Sequence, residues 1–554
     1  MRKALLAILV LAFVFTAVAG CAPQKPAEAP KPAETPAAPA PPPPAKKEMV
    51  LNVNIGTEPQ HTDPNKATGV PDNHITLHCF EGLTRLKSSE VLPGAAEKWD
   101  ILENATKYVF HLRKNAKWSN GDPVTAHDFV FSWKRALNPE TKSEYAYQLY
   151  YIKGAEDYNL GKEKTPDKVG VKALDDYTLE VTLEAPCLYF LYMTAFPTYY
   201  PLNQKVVQAD NEGWAAKVET YVGNGPMKMV KWDHKSKVEL VPNEHYWDRA
   251  SIKLDKLVLT MVEELSTELT MFEAGQLDVT NDVAESEIPR CRETPHWHPV
   301  PNLGTYYYLF NVTKKPLTDV RVRKALTMAI DRKTIVEKIL NNAGFIPATA
   351  YVPFGLADAS AGGKDFREVG GAYYPEYDPD TAKKLLAEAG YPDGKGFPKL
   401  EILYNTSERH KKIGEAIQAM WKKNLNIDVS LQNQEWGVYL DNRTKLNYQV
   451  ARAGWIGDYY DPMTFLDMWT STSGNNDTGW KNKQFDEIIS KAKKTADNVE
   501  RFKLMHQAED MIMNEQIVAP IYFYVEPKMV RNTLKNAWFS ALSVHDYSRA
   551  TIEK

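Results

Sequence analysis

Cysteine is scarce in this chain, with four in 554 residues and no Cys-x-x-Cys pair. Cys79, Cys187 and Cys291 leave room for at most one bridge in the body of the protein, which excludes a disulfide framework and a zinc ribbon. An excess of either charge is missing too. The 67 Lys and Arg against 71 Asp and Glu give a net charge of −4, so neither the basic stripe of a nucleic-acid binder nor a long acidic tail is present. Catalytic signatures are also absent: there is no GxSxG elbow, no HExxH, no P-loop and no GxGxxG. The stretch GNGPMK (223–228) fails at the last glycine. Cys291, His296 and His298 in CRETPHWHP fit no standard ligand spacing, and the flanking prolines make the stretch read as a loop, so no metal is expected. No spacing nominates a pair of catalytic carboxylates.

What is present begins at the N-terminus. Arg2 and Lys3 precede an apolar run from Ala4 to Ala19, the pattern of a signal peptide and too short for a comfortable membrane span. The run ends in Val18-Ala19-Gly20-Cys21, which resembles the lipobox of a bacterial lipoprotein, with Cys21 as the lipidated residue. The alternative is a plain secretory signal with an incidental cysteine. Residues 22–47 are Pro, Ala, Lys and Glu with no core-forming side chain, an extended spacer that holds a domain away from a surface.

The body mixes strands and helices. LNVNIGTEP (51–59), KYVFHL (107–112) and YTLEVTLEAP (177–186) alternate like strands, and LDKLVLTMV (254–262) is uniformly apolar, as a strand buried on both faces requires. In DPDTAKKLLAEAG (378–390), Asp378 caps a helix, Pro379 opens it and Gly390 stops it. Residues 400–436 read as strand, helix capped at Thr406 or Ser407, and strand. That is a βαβ unit of a parallel sheet with His410 in the first helical turn. Ligands on such sheets sit beyond the carboxyl ends of the strands.

ARAGWIGDYYDP (451–462) is the unusual segment. It reads as a strand with Arg452, Gly454, Ile456 and Asp458 on one face. Arg452 and Asp458 stand about 20 Å apart along it, too far for a salt bridge. That separation suits a ligand with a cation at one end and an anion at the other. Gly454 and Gly457 would let another backbone approach closely. A peptide fits both demands, because its backbone pairs with a strand edge whatever its sequence. The alternative is that the two charges pair separately with other partners.

Further segments carry a resemblance. DPNKATGVP (63–71), FEGL (80–83), NAKWSNGDPVTAHDFVFSWKRAL (115–137), GVKALDDYTLEVTLEAP (170–186), GNGP (223–226) and PNEHYWD (242–248) form one set. FNVTKKPLTDVRVRKALTMAIDRKTIV (310–336), NTSERHKK (405–412), NQEWGVYLDNR (433–443), SGNNDTGW (473–480) and IYFYV (521–525) form the rest. Together with the 451–462 segment they resemble the oligopeptide-binding proteins of bacterial ABC importers, a family of extracytoplasmic solute-binding proteins. The likeness covers nearly everything after residue 50.

The resemblance implies an α/β, two-lobed periplasmic-binding-protein fold with a subdomain inserted in the first lobe. The implied organisation is a signal peptide at 1–20 and the anchor and linker at 21–48. The first lobe is built from 49–75, 196–304 and 526–554, the inserted subdomain from 76–195 and the other lobe from 305–525. Asp458 falls at the position that holds a peptide's ammonium, and Arg452, Arg443 and His410 at positions that meet carboxylates. Gly454 and Ile456 match the strand that pairs with the peptide backbone. Trp436, Trp455, Asn475 and Tyr524 match residues around side-chain pockets, and Glu58 lies in the matching first segment. Gln449 stands where the family usually has an acidic residue, a change expected to be structural. The implied ligands are peptides of about two to five residues, delivered to an ABC permease and its ATPase. The implied protein is a monomer, lipid-anchored on the extracytoplasmic face, that makes and breaks no bond and needs no cofactor. Related readings are a receptor for murein peptide, haem or a nickel complex. The rival from another class is a secreted peptidase, for which no nucleophile or metal set is found.

Overall fold

The structure, a computed structural model, describes residues 48–553. The expected signal peptide, Cys21 and the spacer up to residue 47 lie outside the described residues. Three sheets organise the rest. The first runs in the order Val50–Asn54, Lys256–Thr260, Lys237–Pro242, Met227–Asp233. Val50–Asn54 lies parallel to Lys256–Thr260, and the other pairs are antiparallel. Leu257, Val258 and Leu259 are all buried, as the unbroken apolar run demands. The second sheet is antiparallel, in the order Ala96–Leu102, Lys107–Leu112, Thr178–Thr182, Val171–Asp175. The helix Ala126–Leu137 belongs to the same part of the chain; Thr125 and Asp128 form its capping box, and Phe129 and Trp133 are buried on its inner face.

The third sheet is six-stranded and mixed, in the order Ile346–Pro347, Val518–Met529, Trp297–Phe310, Val450–Ile456, Leu400–Asn405, Val429–Gln434. Its two long strands pair from Trp297↔Met529 to Pro301↔Val525, slip, and resume at Thr305↔Phe523. Asn302, Leu303 and Gly304 bulge between these registers opposite Tyr524, which bends the strand pair and aims its side chains anew. A Cβ on Gly304 would meet Asn302 Oδ1 and Ile456 Cδ1 at 2.5 Å each. The βαβ unit is present: Leu400–Asn405 and Val429–Gln434 are parallel, joined by the helix Glu408–Leu425, which buries Ile413, Ile417 and Trp421. Ser407 caps that helix by accepting from the His410 amide at 3.4 Å. Asp378 caps Pro379–Glu388 through the Thr381 amide at 3.0 Å, and Gly390 follows at φ +97°.

The loop expected at 291–298 is present but shorter, a turn at residues 293–296. Cys291 lies inside the short helix Ile288–Arg292, and the long strand already begins at Trp297. Its prolines are tolerated because this half of the strand has a single partner, residues 525–529. His296 packs on Phe272 and His298 on Phe539, at ring separations of 5.6 and 4.6 Å. Among the described residues no group of His, Cys, Asp and Glu is placed to hold a metal. Cys79, Cys187 and Cys291 are buried free thiols.

Candidate functional site

A cavity of about 430 Å³ is lined by the strand from Arg452 to Asp458, the Tyr524–Glu526 segment, Phe80–Gly82, Tyr145, the helix from Trp436 and the loop from Asn405 to His410. The size suits a small organic ligand. Arg443, Arg452, Gly454, Trp455, Ile456, Asp458, His410, Trp436, Asn475 and Tyr524 all line it. Glu58 does not. Its carboxylate accepts from the Lys235 amide at 2.7 Å and contacts His234 Nδ1 at 2.8 Å, so its expected place in the pocket is corrected: it holds a turn on the outside.

The strand Val450–Ile456 carries the site. One edge pairs antiparallel with Gly304–Phe310 over its whole length, while the other meets Leu400–Asn405 only at Val450 and Ala451. From Arg452 to Ile456 that second edge has no strand partner among the described residues, which leaves backbone donors and acceptors facing the cavity. Tyr439 OH takes up one of them, the carbonyl of Arg452. Gly454 is required for a reason other than the approach of a second backbone: the Tyr524 hydroxyl occupies the place a Cβ would take.

Asp458 lies just past the strand end and is 9% exposed. Its carboxylate accepts from Tyr145 OH at 3.0 Å, Gln148 Nε2 at 2.7 Å and Thr464 Oγ1 at 3.2 Å. No Lys, Arg or His pairs with it among the described residues. Burial pushes its carboxyl well above the ordinary aspartate range, and Asp467 adds to the effect while the three donors oppose it. A carboxylate held in this way costs free energy until a cation joins it.

Arg452 is the complement. Nη2 donates to Tyr524 OH at 2.9 Å and Nη1 to Asn405 Oδ1 at 3.2 Å, the guanidinium lies 4.8 Å over the Tyr306 ring, and Nε is buried without an acceptor. No carboxylate pairs with it among the described residues. His410 contacts Tyr306 OH through Nδ1 at 3.3 Å. Burial, with Arg452 and Arg409 beside it, holds His410 well below the ordinary histidine range and so neutral.

Arg443 is different. Its Nε donates to Asp477 at 2.5 Å, and although burial works against its charge, Asp477 holds the guanidinium firmly protonated. The ion pair already satisfies it, which leaves less for a ligand carboxylate than at Arg452. Trp455 Nε1 donates to the Thr464 carbonyl at 2.8 Å, Asn475 Nδ2 to Tyr147 OH at 3.3 Å, and Trp436 Nε1 is buried without an acceptor. The Gln449 side chain accepts from the Glu401 amide at 2.9 Å, a sheet contact away from the cavity.

Sequence reasoning missed Tyr145, Gln148 and Thr464 at the Asp458 carboxylate. The first two come from EYAYQLYY (144–151), whose run of aromatics is the one signal that could have drawn attention to it. Asp477 was in view within SGNNDTGW, yet nothing local ties it to Arg443.

Comparison with known proteins agrees with this architecture. Residues 90–477 match the family described as bacterial extracellular solute-binding proteins, family 5. The oligopeptide-binding protein OppA of Bacillus subtilis is 40% identical over 502 residues, 89% of this chain and 90% of that protein. Haemophilus influenzae OppA in complex with RPPGFSPFR superposes with a TM-score of 0.85 at 35% identity, covering 92% of this chain and 99% of that one. The Escherichia coli murein tripeptide-binding protein MppA superposes at 0.85 in one structure, at 36% identity over 92% of this chain and 99% of that one. Its unliganded open form reaches only 0.59, at 35% identity over 91% and 98%. The fold is therefore the two-lobed α/β architecture, in an arrangement that differs from that open form. The chain belongs to the bacterial extracellular solute-binding proteins of family 5.

Proposed function

We propose that the cavity captures short peptides, of about two to five residues, by their charged ends and open backbone, and that the protein delivers them to an ABC permease and its ATPase without chemical change. One observation carries the reading. The cavity contains a buried carboxylate, Asp458, just past the end of a strand, and on that strand a guanidinium, Arg452; neither has an ion-pair partner among the described residues, and the strand edge between them is open. Asp458 takes the ammonium. Arg452 takes the carboxylate of the shortest peptides and His410 that of longer ones. Arg443, already paired with Asp477, acts on carboxylates only through its long-range field. Gly454 and Ile456 supply backbone contacts, and Trp436, Trp455, Asn475 and Tyr524 bound the space for side chains. The peptide complex of the Haemophilus relative and the names of the other relatives support the ligand class. In this reading Cys21 carries a lipid, the Pro/Ala segment is a tether, and the protein works as a monomer on the extracytoplasmic face of the membrane. Calorimetry with tri-alanine and N-acetyl-tri-alanine tests the proposal: the free peptide should bind at least a hundredfold more tightly. Equal affinities would refute it.

A further inference from the structure

Two of the three donors on Asp458 come from a distant part of the chain. Tyr145 and Gln148 are 313 and 310 residues away in sequence, on the short helical turn around Ala146–Tyr151 that belongs with the second sheet. Thr464 follows Asp458 within its own lobe. The same segment touches that lobe again where Tyr147 OH accepts from Asn475 at 3.3 Å, and where Gly474 packs against the Glu144 backbone. Gln148 is 1% exposed, and its Oε1 is buried without a donor. The carboxamide is therefore held from one end only, by Nε2 on Asp458.

Resting on the peptide reading above, we propose that Gln148 is a positioning residue that completes the ammonium site from across the cleft, so that closing the lobes strengthens the hold of Asp458 on a ligand ammonium. An ionised carboxylate binds an ammonium only if it stays ionised out of water. The donors that replace its water do this, and here two of them arrive with the other body. MppA, which superposes well in one form and poorly in its open form, shows that members of this family exist in more than one arrangement. In an arrangement that parts residues 145–148 from Asp458, the carboxylate keeps only the Thr464 contact and water. Ammonium capture and closure then reinforce each other, as two events that share one set of contacts must.

The test is the affinity of free and N-acetylated tri-alanine for the full-length protein and for Gln148→Met, at pH 7 and pH 5, repeated in an Asp458→Asn background. Met keeps the volume and removes the donor. The expected result is a loss of about ten- to a hundredfold for the free peptide, the scale of one charge-assisted hydrogen bond, with the acetylated peptide unchanged. The loss should deepen at pH 5, where a proton competes with the ammonium for a less well solvated carboxylate, and it should vanish in the Asp458→Asn background. Tyr145→Phe, which removes only a hydroxyl, should act in the same direction and serves if Gln148→Met folds poorly. Equal loss for both peptides, or a full loss in the Asp458→Asn background, would overturn the inference and leave the peptide reading intact. A wild-type protein that does not distinguish the two peptides would overturn the reading and the inference with it.

Discussion

Replacing Asp458 by Asn separates what the residue does for a ligand from what it costs the fold. Alanine would strand Tyr145 OH, Gln148 Nε2 and Thr464 Oγ1, all of which donate to this carboxylate, at about 1–3 kcal/mol for each buried donor left without an acceptor. Asparagine keeps the shape and one acceptor and deletes the charge. For binding, breaking a buried ion pair costs about 3–5 kcal/mol, which corresponds to a loss of roughly a hundred- to several-thousandfold in affinity for a free tri-alanine. For stability the sign is opposite. Burial pushes the Asp458 carboxyl well above the ordinary aspartate range, so the folded, ligand-free protein favours the neutral form while the unfolded chain ionises near the usual value. That destabilises the fold as pH rises above the unfolded value, until the folded-state value is passed. Asp458→Asn should therefore unfold at a higher temperature than wild type at pH 7 without ligand, and the advantage should disappear near pH 4. Calorimetric scans at both pH values, together with titrations of peptide, read both effects. A variant that binds weakly and is also destabilised at pH 7 would refute the claim that Asp458 is a strained, unpaired carboxylate.

Three more outcomes are expected. Gly454→Ala should displace Tyr524 from Arg452, at about 1–3 kcal/mol of overpacking strain, weakening peptides of every length in calorimetry; unchanged affinity would show that Tyr524 is free to move. His410→Ala should spare di-alanine and weaken longer alanine peptides, more so at pH 6 than at pH 8. The neutral His410 of the closed cavity must take up a proton to meet a carboxylate, and that uptake becomes harder as pH rises. Burial first, then Asp477, raises the Glu144 carboxyl to about 7, against the pull of Arg443, with Asp72 and Asp441 adding to the rise. Closing the cleft over it should then take up a proton between about pH 4.5 and 7, so the Glu144 contribution to affinity should fall as pH rises through that window, opposite in sign to that of Asp458, and peptide titrations of Glu144→Gln should lack that contribution.

Much of the site was legible because its residues obey local rules. Alternation placed Arg452, Gly454 and Ile456 on one face, and the structure leaves these positions half-buried while Ala451, Ala453 and Trp455 are buried. The Ser407 cap and the βαβ pattern put His410 at a helix start beside a strand end, where the cavity lies. What escaped was set by contacts between distant segments. Nothing near Asp458 in sequence announces Tyr145 or Gln148, and nothing near Arg443 shows that Asp477 balances its charge. The glycine at 454 was correctly marked as a point of close approach, but the approaching group is a tyrosine hydroxyl from the neighbouring segment. Glu58 failed because a shared segment does not fix where a side chain turns. Pro299 looked like a loop marker, yet it lies in the long strand, since whether a strand half has one partner or two is a property of the sheet.

The central claim is that this cavity holds intact peptides by their two charged ends. Native mass spectrometry of the protein as purified from its own cells tests it most directly. The account predicts adducts that resolve, on collisional release, into unmodified peptides of about two to five residues with free amino termini, and their loss from Asp458→Asn. Adducts of any other chemistry, or peptides retained equally by the variant, would contradict it.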